Sequence, residues 1–62
     1  MNDRVERIRR ALEGVEQALR ALSEAGEGVP AVERNVIRMR GTLGVLRAQF
    51  DELARVLGGR EG

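Results

Sequence analysis

The sequence predicts an all-α protein: an antiparallel two-helix hairpin that dimerises into a four-helix bundle. Three observations predict it. Large apolar residues recur at alternating steps of three and four in two series, the spacing of one helical face. The first is Val5, Ile8, Leu12, Val15, Leu19, Leu22, and the second is Val36, Met39, Leu43, Leu46, Phe50, Leu53, Leu57. A glycine-rich break, Gly26-Glu27-Gly28-Val29, followed by Pro30, separates the two series. Laid antiparallel, they match in a single register. Leu22 faces Val36, Leu19 faces Met39, Val15 faces Leu43, Leu12 faces Leu46, Ile8 faces Phe50 and Val5 faces Leu53, with Met1 opposite Leu57. With Val5 and Val36 as heptad position a, every pair sets an a residue against a d residue, so sliding either helix breaks all the layers together.

The chain reads as one domain over 1–62: a helix over 3–25, a turn over 26–29, a second helix over 30–57 and a flexible tail over 58–62. Asp3 can cap the first helix, and Glu6 three residues on completes a capping-box pair. Gly26 suits the residue just past a helix end. Pro30 belongs in a first helical turn, and Glu33 there complements the positive end of the helix dipole. Val29 is a poor cap. Gly58-Gly59 marks the expected stop of the second helix, with the tail beyond it unanchored.

The flanks of the seam differ from one another. In an antiparallel pair the g positions of both helices share one side: Ala11, Ala18 and Ala25 beside Asn35, Thr42 and Gln49, a nearly charge-free flank, with Arg4 at its end, expected to form the oligomer interface. Gly14 and Ala21 widen that small-residue stripe, giving an apolar arc broader than a coiled-coil seam. The e flank carries Arg9, Glu16 and Ser23 beside Glu33, Arg40 and Arg47 and is expected to face water. On the second helix Ile37, Gly41, Gly44, Val45 and Ala48 fall away from the seam. Each mid-helix glycine costs about 1 kcal/mol relative to alanine. Two of them three residues apart suggest a second contact face; the bland alternative is an ordinary surface that tolerates glycine and a few aliphatics.

Composition bounds what such a chain can do. A chain of 62 residues buries only about 60% of its unfolded surface, and a core this small rarely supplies more than about 3–5 kcal/mol without a staple. There is no cysteine and no histidine, so neither a disulfide nor an ordinary zinc site can serve. Oligomerisation is the staple left. Residues 1–25 lack the apolar stretch of a secretory signal, and no apolar run approaches the ~20 residues that span a bilayer, so a cytoplasmic protein without a membrane partner is expected. Net charge is +1 with all eleven cations arginine, a bias that codon usage alone can produce. Residues 1–25 balance five arginines against five acids, and 26–62 hold six against five, so neither half is a polycation.

Catalysis finds little to work with. Histidine, cysteine and tyrosine are absent, and the only hydroxyls, Ser23 and Thr42, have no base beside them in the pattern. Glu13 and Glu16 lie on the polar arc, whereas bundle carboxylate-metal sites use inward Glu with a Glu-x-x-His partner. Gly41-Thr42-Leu43-Gly44 lacks the strand context of a phosphate loop. No enzyme activity, metal or cofactor is expected. Nucleic acid is the main alternative partner. Arg4, Arg7, Arg9 and Arg10 cluster at one end of the first helix, which the register places beside Arg47 and Arg55; of these, Arg4, Arg7, Arg10, Arg47 and Arg55 are the candidate contacts. Against it stand the neighbouring Asp3, Glu6, Asp51 and Glu52, the absence of Tyr and Trp for base stacking, and a seam position for the lone Phe50. In overall shape the hairpin is similar to the ROP family, short helical hairpins that dimerise into four-helix bundles and bind RNA. That likeness lies in the two apolar series and the short turn, and it carries no binding residue across. The expected function is non-catalytic protein–protein association, as a scaffold, adaptor or regulatory subunit, through itself as a homodimer or higher oligomer and through a further protein partner.

Overall fold

The computed structural model describes residues 2–61, with side chains from Asp3 to Leu57. Two helices pack against each other as a hairpin: α1, Asn2–Ala25, and α2, Pro30–Glu61. Met1, expected opposite Leu57, and Gly62 lie outside the described residues. α1 begins one residue ahead of the expected cap, so Asp3 sits inside the first turn, where it pairs with Arg7 at 3.7 Å. Glu6, expected to reach back to Asp3, instead takes Arg9 at 2.6 Å and Arg10 at 3.4 Å. Two guanidiniums within one helical turn outcompete a single backbone amide for that carboxylate.

The turn assigns its two glycines to different tasks. The Gly26 amide still donates an α-helical bond to the Leu22 carbonyl at 2.8 Å, so Gly26 is not the left-handed residue past the helix end. That conformation falls to Gly28, whose φ is 86°, and the Val29 amide closes the turn onto the Gly26 carbonyl at 2.9 Å. A positive φ at the third position is what turns of this kind require, and glycine adopts it without steric cost. Gly26 is needed for room: it is buried, and a Cβ there would overlap the side chain of Val32. At the start of α2 the Val29 carbonyl accepts the first helical bond, from the Glu33 amide at 3.0 Å. Its side chain cannot cap, and the Glu33 carboxylate compensates by accepting the Gly28 amide at 2.9 Å.

α2 runs to Glu61, past the stop expected at Gly58-Gly59 and through most of the tail assigned to 58–62. Glycine lowers helix propensity but can hold helical dihedrals, so it ends a helix only where something else captures the chain.

The core corrects the heptad picture. Leu12, Leu19, Val36 and Phe50, all at a, are buried at 3% to 7% exposure, with Val5, Leu43 and Leu57 at a half-buried. The d residues Val15, Leu22, Met39, Leu46 and Leu53 remain 40% to 48% exposed. The hairpin therefore closes along a and e, where small Ser23 and Ala54 are half-buried. A pair of helices shares one line of contact, and it cannot enclose both rows of a broad apolar arc.

Candidate protein-association face

Closing along a and e gives the hairpin two unlike broad faces. On the e side the long charged residues hold the helices together. Arg47 Nη1 donates to Glu16 Oε2 across the hairpin at 2.7 Å, and Arg47 Nε approaches Asp51 at 3.5 Å. The Glu16 carboxylate, with a smaller part from Asp51, holds the Arg47 guanidinium above its ordinary pKa. A raised cation contributes stability that is present below its unfolded pKa and lost only as pH climbs past the guanidinium's own range. The Arg9 guanidinium lies over the Phe50 ring at 5.7 Å from its centroid while donating to Glu6, so one cation caps the core edge and keeps its ion pair. This flank, expected simply to face water, closes the hairpin, with Arg9, Glu16, Ser23 and Arg47 half-buried; Glu33 and Arg40 are exposed as expected.

The other broad face joins the d and g rows of both helices. Ala11, Ala18, Ala25, Asn35, Thr42 and Gln49, the expected interface residues, are all exposed there. Asn35 turns its amide back onto the Ala31 carbonyl of its own helix at 2.7 Å. The pattern reading missed their neighbours: Val15, Leu22, Met39, Leu46 and Leu53 belong to the same face, together with Val56, which is 50% exposed. Their apolar character was visible, but it placed them inside the seam. Among the residues whose side chains are described, Arg4 is the one charged residue at a d or g position of the face, at the end away from the turn. There a shallow cleft with an apolar floor of Val5, Ile8, Leu53 and Leu57 and a charged rim of Asp3, Arg4 and Arg7 continues it.

The second candidate face on α2 is exposed as well: Ile37 at 70% and Val45 at 60%, with Ala48 beside them. A Cβ added to Gly41 or Gly44 would meet no atom of the chain within 4 Å. Nothing in the hairpin itself requires glycine at either position.

The candidate nucleic-acid arginines lie on both helices, with Arg4 and Arg7 lining one shallow cleft beside Ile8 and Ala11. Arg4, Arg7 and Arg10 fall on the g, c and f positions of α1, and Arg47 and Arg55 on e and f of α2. Carboxylates of the hairpin already engage most of them: Asp3 holds Arg7, Glu6 holds Arg10, Glu16 and Asp51 hold Arg47, and Glu52 holds Arg55 through both its oxygens at 2.6 Å. Among the described residues no group of three or more acidic side chains is placed to hold a metal ion, and no helix is long and apolar enough to cross a membrane. No protein-family model matches the chain, and no curated protein or solved structure is similar to it.

Proposed function

We propose that this protein is a non-catalytic association module that binds a second copy of itself through the d/g face, forming a four-helix bundle, and acts by protein–protein contact as a scaffold, adaptor or regulatory subunit. One observation carries the proposal: five large d residues, together with Val56 and the alanine stripe, form one apolar face that the hairpin leaves uncovered. Exposed apolar patches larger than a few hundred Å², on an otherwise charged surface, mark interaction sites. The hairpin measures 48 × 17 × 11 Å, a flat two-helix layer whose broad side offers a second copy more surface than its narrow edge. The chain also needs the cover, because among the described residues only Leu12, Leu19, Val36 and Phe50 form a buried core, and none of them is fully enclosed.

Sedimentation equilibrium of the 62-residue chain, with thermal melts at several concentrations, tests the proposal. A dimeric or larger mass and a melting temperature that rises with concentration are expected, since mass action links subunit concentration to stability. A monomeric mass at micromolar concentration, with a cooperative and concentration-independent melt, would refute it.

A further inference from the structure

We infer that the second copy docks with its two-fold axis running along the helices, so that α1 of each copy lies on α2 of the other and both turns emerge at the same end. The inference rests on the self-association proposed above and adds its geometry. Two symmetric ways of apposing the d/g face exist. An axis along the helices sets α1 against α2 of the second copy. An axis across the helices sets α1 against α1 and α2 against α2, with the turns at opposite ends. Neighbouring helices are antiparallel either way, so helix dipoles do not decide.

Side-chain size decides. The α1 half of the face is small, with Ala11, Ala18 and Ala25 at seven-residue spacing beside Val15 and Leu22. The α2 half is large, with Met39, Leu46 and Leu53 at the same spacing beside Thr42, Gln49 and Val56. Apposing α1 with α2 sets the alanine row of one copy against the larger Asn35, Thr42, Gln49 and Val56 row of the other along both outer contacts, while the large d rows meet in the middle, so both contacts keep one spacing. Apposing like with like makes one contact narrow and the other wide. It also stacks Asn35, Thr42 and Gln49 against their own copies.

Charge agrees with size. A two-fold axis along the helices leaves every residue at its own height. Within the hairpin Arg9 lies over Phe50, so the beginning of α1 is level with the end of α2. Arg4 and Arg7 of one copy therefore stand level with Glu52 of the other, at the border of the face, while Asp51 stays on the e side with Arg47. Complementary charge at a rim fixes register more than it adds affinity.

The chain has no cysteine, so one introduced thiol gives a unique label position. Glu27→Cys places it in the turn, at an exposed residue outside the face, and Val29→Cys is an independent second position. Spin-label distances are measured in the full-length dimer, with its mass checked on the labelled sample. The expected result is a dimeric mass with labels about 20–30 Å apart, roughly two to three helix diameters. A dimeric mass with labels separated by close to the 48 Å length of the hairpin overturns the arrangement while leaving self-association intact. A larger oligomer with several distances overturns it too. A monomeric mass overturns self-association itself, and the arrangement with it.

Discussion

Leu46 separates a covered face from a bare one. It is 47% exposed, so the hairpin alone removes only about half of its side chain from water. Fully burying a leucine contributes about 1.5–3 kcal/mol. Leu46→Ala in a lone hairpin therefore costs about 1 kcal/mol, and it leaves no cavity because the site is already open. If a second copy covers Leu46, the same truncation removes the remaining burial and opens a void, and the cost rises to the ~2–5 kcal/mol of core leucines for each chain. Two comparisons calibrate the scale. Leu12→Ala, at a residue 5% exposed, should cost the core value in either case, whereas Ile37→Ala, at 70%, should stay near the ~0.5 kcal/mol of surface changes. The assay is urea unfolding followed by helical circular dichroism at two well-separated concentrations, with mass by sedimentation. The expected order places Leu46→Ala beside Leu12→Ala. Finding it beside Ile37→Ala, with midpoints independent of concentration, would refute the covered face.

Ala18→Glu puts a charge on the d/g face and should lower the mass to that of a monomer, because burying it without a partner is costly. Glu16→Ala, on the opposite flank, removes the bridge to Arg47 but should leave the oligomer intact; equal effects of the two on mass would move the interface. Gly26→Ala should destabilise by about 1–3 kcal/mol in thermal melts, since the methyl overlaps Val32, and an unchanged melt would mean the turn relaxes freely. Alanine at both Gly41 and Gly44 should stabilise by up to about 2 kcal/mol, given open space at each and a propensity gain near 1 kcal/mol per site. A less stable double variant would instead place a partner on the face formed by Ile37, Gly41, Gly44, Val45 and Ala48. Duplex DNA or RNA should bind only weakly at ~0.15 M salt. Tight binding with a log–log salt slope near −0.9 per phosphate, lost in Arg7→Ala with Arg10→Ala, would favour a nucleic-acid partner.

The hairpin was legible because its signals are local: a three-four apolar spacing, a glycine-rich break, and a proline where a helix must restart. The rotation of the helices about their own axes was not. Leu12 and Val15 look equally fit for a core, and a heptad assigns both to the seam. What separates them is which flank closes, and charge pointed the wrong way there. Arginine heads can stack on an aromatic face and bond carboxylates at once, so Arg9 over Phe50 and Arg47 on Glu16 shut the charged side. Ser23 and Ala54, small residues at e, were the available hint. Gly26 was read as a cap because its partner Val32 comes from the next helix, and no local pattern reveals that contact.

The charged flank also bears on how association ends. Had both broad faces been apolar, each hairpin would offer two adhesive surfaces, and copies could stack face to face without limit. Heterologous contacts of that kind build open assemblies, whereas one self-complementary face is used up by a single two-fold partner. Arg9, Glu16 and Arg47 keep the e face polar by bonding within the hairpin, and they also tie α1 to α2. The large d residues at 40% exposure or more, Val15, Leu22, Met39, Leu46 and Leu53, face the other way, together with the alanines. The same arrangement that leaves a lone hairpin with too little core restricts its partner to one side. If association runs through the d/g face as proposed, one two-fold partner uses that face up.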